Sequence, residues 1–80
     1  MKTAKELIEI LGGAPTVARM LGIKNPSVYE WKERNRIPDD KLIRLAPSIE
    51  KLTNSKITRK DLRPNDWYEI WPELARSDNK

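Results

Sequence analysis

The residues with the most chemistry to offer lie between Lys24 and Arg36, in the stretch KNPSVYEWKERNR. Lys24, Asn25, Ser27, Tyr29, Glu30 and Glu33 supply ammonium, amide, hydroxyl, phenol and carboxylate groups, and Lys32, Arg34 and Arg36 add three cations. At about 100° per residue along a helix, Val28 and Trp31 share one side. Pro26, Tyr29, Glu30 and Glu33 then point the opposite way, with Ser27 and Lys32 on the flanks. A helix with an apolar inner stripe and a hydrogen-bonding outer face suits the major groove of a duplex, where each base pair shows its own donor and acceptor pattern. Guanidinium groups donate paired hydrogen bonds to phosphate oxygens, which makes Lys32, Arg34 and Arg36 candidate phosphate contacts. Thr16 and Arg19, on the preceding helix, are further candidates. The same pattern also fits a plain solvated face on a small helical core, its charges serving solubility.

Other chemistry is poorly supplied. The chain has no histidine and no cysteine, so the commonest general base, the thiolate nucleophile and the usual zinc ligands are all missing. The closest acidic groupings are Glu30 with Glu33, one turn apart, and Asp39-Asp40 at a helix start. A groove-facing surface accounts for the first and helix capping for the second. No glycine-rich phosphate loop, metal-ligand spacing or nucleophile motif is present. No enzyme, metal, cofactor or small-molecule ligand is expected.

Two short helices and a tight turn must hold this surface, across residues 14–33. Pro15 can start the first, since its missing N–H is an orphan at that position anyway. Gly22 gives the corner its backbone freedom. Asn25 can cap the second helix, with Pro26 as its first residue. Val17, Ala18 and Leu21 form the apolar stripe of the first helix; Ala18 is small enough for close helix approach, and Ile23 can plug the corner. A crossed helix pair with a glycine at the corner is the helix-turn-helix pattern.

Ala18, Gly22, Val28 and Trp31 stand at the small, glycine and two apolar positions of the Cro-like helix-turn-helix repressors of temperate phages, which this segment resembles. The tail ITRKDLRPNDWYEIWPELA, from Ile57 to Ala75, looks like the ending of a related branch, the YdaS-type regulators. The resemblance covers nearly the whole chain. It implies an all-α, lambda-repressor-like bundle of about five helices that binds double-stranded DNA at an inverted-repeat operator and represses by excluding RNA polymerase. It also implies two subunits, at least on DNA, with recognition helices about 34 Å apart in successive major grooves. Base contacts then fall to Asn25, Ser27, Tyr29 and Glu30, with Lys24 and Glu33 at the edges. Glu30 departs from the Gln, Asn, Lys or Arg commoner at that position. A carboxylate accepts from cytosine N4 yet is repelled by phosphate, so it would select against wrong bases. Some YdaS-type relatives are labelled as antitoxins, which makes a protein-interaction module the alternative, with the aromatic tail as the partner-binding segment.

Length and charge bound the rest. Eighty residues make one small domain, set here as residues 1–76, with the aromatic tail at 64–76 and a frayed terminus at 77–80. Such a chain buries only somewhat more than about 60% of its unfolded surface. Its opening, MKTAKELIEIL, interrupts apolar residues with charges, so neither a signal peptide nor a membrane span is expected. A cytoplasmic, DNA-associated protein of a bacterial host follows, without membrane contact. The net charge is +4, unevenly spread. Residues 1–54 carry ten basic and seven acidic groups, and Lys56 to Arg63 carry four basic residues against Asp61. From Pro64 to Asn79 the balance reverses, with Arg76 against Asp66, Glu69, Glu73 and Asp78. A basic body is consistent with a nucleic-acid face, and an acidic tail with a segment that points elsewhere.

The remaining elements are read from caps and spacing. Thr3 and Glu6 form a capping-box pair that opens a first helix to Leu11, with Ala4, Leu7, Ile8 and Leu11 on one face; Gly12-Gly13 ends it. Pro38, Asp39 and Asp40 start another helix, the two acidic groups near its positive end, and Leu42, Leu45, Ala46, Ile49 and Leu52 keep one phase in it. Pro47 interrupts that run, and either a kinked helix or two consecutive helices would preserve the phase. Asn54-Ser55 is a turn. Thr58 and Asp61 mark a short helical turn over TRKDL. Trp67, Ile70, Trp71 and Leu74 recur at helix spacing, with Pro72 ending or bending the helix. The two tail indoles are expected to close the core; docking of a second subunit is the alternative. Base stacking by Trp67 or Tyr68 is disfavoured beside four acidic groups.

Overall fold

The computed structural model describes residues 2–78, and within them the chain is all-helical. Seven helices follow in order: α1 (Ala4–Ile10), α2 (Ala14–Leu21), α3 (Asn25–Arg34), α4 (Asp39–Leu52), α5 (Arg59–Leu62), α6 (Trp67–Ile70) and α7 (Pro72–Asp78). Both capping boxes form. The Thr3 Oγ1 accepts from the Glu6 N–H at 3.1 Å while the Glu6 carboxylate accepts from the Thr3 N–H at 2.9 Å, and Thr58 with Asp61 repeats the arrangement at α5. Each box satisfies N–H groups that a helix start otherwise leaves without partners.

The first four helices end alike. In each, a residue with positive φ turns the chain, and the next N–H reaches back to a carbonyl five residues earlier. The turning residues are Gly12, Gly22, Asn35 and Asn54. The closing bonds are Gly13 N–H to Ile8 O (2.9 Å), Ile23 N–H to Ala18 O (2.9 Å), Arg36 N–H to Trp31 O (3.0 Å) and Ser55 N–H to Glu50 O (2.8 Å). This is the left-handed closure that Gly and Asn adopt most easily. It lets four helices reverse over connections of only a few residues.

One core joins these helices. Ala4, Leu7, Ile8 and Leu11 of the first segment, Val17, Ala18 and Leu21 of α2, Val28 and Trp31 of α3, and Leu45, Ala46 and Ile49 of α4 are buried together, with Ile37, Leu62 and Trp71. Helix α3 packs on α2 and α1, α4 on α1 and α5, and α6 on α7. Pro47 leaves α4 as one continuous helix, with the proline ring exposed. Leu52 departs from its expected place in the apolar stripe: it is 58% exposed, at the last position of the helix and one turn beyond the buried Ile49. Pro72 starts α7 after a break at Trp71. Trp71 is buried at 9% exposure and Trp67 is half-buried against the same core. Of the expected frayed terminus, residues 77–78 continue α7, and residues 79–80 lie outside the described residues.

Charge pairing explains why the basic stretch at 56–63 is followed by an acidic tail. Arg59 Nε donates to Glu50 at 2.9 Å, its guanidinium lies 3.9 Å from Glu73, and it stacks 5.6 Å from the Trp71 ring. Lys60 Nζ sits 4.4 Å from the centre of the Trp67 ring. Arg63 donates two hydrogen bonds to Asp66, at 2.6 and 3.0 Å, and one to Asp39 at 3.0 Å. Hydrogen bonds from Arg63 hold the Asp66 carboxyl below its ordinary pKa. Arg59 and Arg63 therefore fasten α5 and the segments of Asp66 and Glu73 to α4.

Candidate nucleic-acid interface

The sequence of α3, NPSVYEWKER, sorts cleanly by side. Val28 is fully buried and Trp31 is 8% exposed, so the helix is seated through these two residues. Pro26, Ser27, Glu30 and Glu33 are exposed, and Tyr29 is 50% exposed. Among the described residues no neighbouring element covers this outer side. Lys24, Asn25, Ser27, Tyr29, Glu30 and Glu33 are thus brought together on one accessible helix, from its first turn to its last.

Asn25 requires a correction. The capping position belongs to Lys24, whose backbone is extended (φ −85°, ψ 148°), and Asn25 is the first helical residue. No side chain caps α3. With a proline in its first turn, the helix has one fewer N–H to satisfy, and the Asn25 amide is left exposed and without a capping role.

The cations surround this surface in different states. Lys32 Nζ lies 5.3 Å from the centre of the Tyr29 ring, where the negative π face attracts it. Arg34 lies 3.8 Å from Glu30 one turn back, both well exposed. Arg36 reaches Asp39 at 3.9 Å, again in solvent. Pairs this open are worth at most about 1 kcal/mol and are screened by salt, so an incoming anion competes easily. Lys24, Arg19 and Glu33 have no ion pair among the described residues. Thr16 is half-buried and its hydroxyl donates to the Gly12 carbonyl at 3.2 Å, which spends its proton on the connection just before α2. It is the least available of the five phosphate candidates.

Sequence reasoning missed Asn35. Its left-handed backbone (φ 53°) ends α3 between Arg34 and Arg36, and its side-chain oxygen accepts from the Ala4 N–H at 2.8 Å. That bond ties the end of α3 to the start of α1 and fixes where the two arginines leave the core. An asparagine between two arginines after a helical stretch was the available signal. Among the described residues no group of His, Cys, Asp and Glu could hold a metal ion, and no helix is long and apolar enough to cross a membrane.

Comparison with known proteins gives two matches. A family model described as "Bacterial toxin YdaS" matches residues 4–70, which span α1 to α6. The "Putative transcriptional regulator YdaS" of Escherichia coli (strain K12) is 34% identical over 77 residues, covering 94% of this chain and 74% of that protein. No solved structure matches.

Proposed function

The chain belongs to the YdaS family, and from that premise we propose that it is a sequence-specific double-stranded DNA-binding regulator of transcription. The Escherichia coli relative carries a regulator's name, which supports a regulatory role here. The observation that carries the DNA reading is the two-sidedness of α3: Val28 and Trp31 anchor it, while Tyr29, Glu30 and Glu33 stand exposed with no other element over them among the described residues. In this reading α3 enters the major groove. Asn25, Ser27, Tyr29 and Glu30 meet base edges, and Lys24 and Glu33 border them. Arg19, Lys32, Arg34 and Arg36 take phosphates, with Thr16 in a minor part. Two copies on an inverted repeat would place their α3 helices about 34 Å apart. Repression then follows from occupying a promoter, as in Cro-type proteins, with activity set by protein concentration and operator affinity.

Selection from random duplexes at two salt concentrations tests this. A symmetric site with half-sites one helical turn apart, bound more weakly at higher salt, is the expected result. Recovery of no preferred sequence would overturn it.

The description of the family as a bacterial toxin favours one second reading, in which the protein inhibits growth. It names the toxin side of a toxin–antitoxin pair, whereas the alternative drawn from the sequence was the antitoxin side. Growth inhibition exerted through DNA contacts would disappear on substituting Arg34 and Arg36 together. Inhibition through a protein partner would survive that change.

A further inference from the structure

We propose that Arg63 is a positioning residue for DNA binding: by occupying the Asp39 carboxylate it leaves Arg36 free to grip a phosphate. This rests on the DNA reading above and goes beyond it, since Arg63 lies past α5, away from the helix-turn-helix in sequence. Both guanidiniums address the same atom, Oδ1 of Asp39, Arg63 from 3.0 Å and Arg36 from 3.9 Å. They are unequal competitors. The Arg63 side chain is 19% exposed and its planar fork is oriented by two hydrogen bonds to Asp66, whereas the Arg36 side chain is 74% exposed. The ordered, half-buried fork holds the carboxylate; the solvated one only hovers near it.

Asp39 stands in the first turn of α4, immediately after the short connection that carries Arg36 out of α3. An unneutralised carboxylate there would pull Arg36 inward and oppose the approach of a phosphate. With Arg63 bonded to it, the same carboxylate serves the positive end of α4 at little expense to the cation beside it. The chain Asp66–Arg63–Asp39–Arg36 therefore runs from the start of α6 to the rim of the proposed interface.

The test uses the full chain and a short random-sequence duplex, with binding followed by fluorescence anisotropy across a salt series. Arg63→Met is expected to weaken binding roughly two- to fivefold, the range an exposed ion pair spans. The slope of log affinity against log salt should fall by about 0.9, the value of one phosphate contact. Adding Asp39→Asn should restore both. Arg36→Ala should reproduce the loss, and Arg63→Met should add nothing in that background. A loss that persists with Asp39→Asn would make Arg63 a direct phosphate ligand and overturn the proposal. Should circular dichroism show Arg63→Met unfolded, Asp39→Asn alone decides. It should leave binding by the parent chain unchanged within about twofold, because Arg63 already holds the carboxylate; a larger tightening that vanishes in Arg36→Ala would show Asp39 restraining Arg36 despite Arg63 and would overturn the proposal. Absence of duplex binding by the parent chain at low salt would instead refute the DNA reading, and this proposal with it.

Discussion

The Glu30 carboxylate lies 3.8 Å from the Arg34 guanidinium, one turn along the same side of α3. A candidate base-reading group and a candidate phosphate anchor therefore hold each other in the absence of DNA. The pair is exposed and weak, so it orients both side chains without locking them. In the proposed complex this pair would be exchanged for two separate contacts, and Glu30 would act as a brake on binding to arbitrary sequence.

Glu30→Gln should accordingly strengthen binding to random duplexes by roughly two- to fivefold, because repulsion and the competing pair are both removed. Preference at the base it faces should relax. Unchanged base preference in a randomised-operator selection would refute the assignment of Glu30 to a base edge.

Arg19 offers the contrasting case, having no ion pair among the described residues. Arg19→Ala should lower the salt slope by about 0.9 while leaving the urea midpoint of unfolding unchanged. A shifted midpoint would give Arg19 a structural part instead.

Trp71 closes the core from the last third of the chain, so the tail is part of the fold. Trp71→Ala should cost about 3–5 kcal/mol, much of the stability a domain of this size possesses. Deleting residues 64–80 should leave a chain without a cooperative urea transition. A truncated chain that folds normally would return the tail to the status of a separate partner-binding segment.

Gly12 and Gly22 should differ in tolerance. At Gly22 (φ 69°) an added Cβ meets nothing within 4 Å, so Gly22→Ala carries only the left-handed backbone cost of about 1–2 kcal/mol. At Gly12 (φ 111°) a Cβ would also lie 3.2 Å from the Thr16 side chain, so Gly12→Ala should be the more damaging. Thermal melts of the two variants compare them directly.

Acid should unlatch the helix starts. Hydrogen bonds from Thr3 and Thr58 hold the Glu6 and Asp61 carboxyls below their ordinary pKa, and Lys41 does the same for Asp40. Groups depressed in the folded state stabilise it fully above their unfolded pKa values, near about pH 4, and lose that contribution as pH falls through the folded values. The melting temperature should thus hold steady from neutrality to about pH 5 and drop below about pH 4. The double variant Glu6→Gln, Asp61→Asn should show a shallower drop, and an identical acid profile would refute this account.

Much of the fold was legible because its determinants are local. The Thr3–Glu6 and Thr58–Asp61 boxes, the stripe Ala4, Leu7, Ile8 and Leu11, and the seating of Val28 and Trp31 each depend on residues within one or two turns. The outward side of α3 was legible for the same reason, although what it contacts is outside any one chain. Asn25 and Leu52 were misjudged at helix ends, where a shift of one residue changes a side chain's role. The pairs Arg63–Asp39 and Arg59–Glu50 and the Asn35–Ala4 bond were not legible at all. Each joins distant positions that only the assembled helices bring together, and composition shows charges without their partners.

Trp31 sits behind the surface proposed to read DNA, shielded by the helix that carries it. Its indole is therefore a built-in optical gauge of how α3 is seated. In a chain with Trp67 and Trp71 changed to phenylalanine, its emission would report distortion of the helix on docking while remaining blind to simple surface contact.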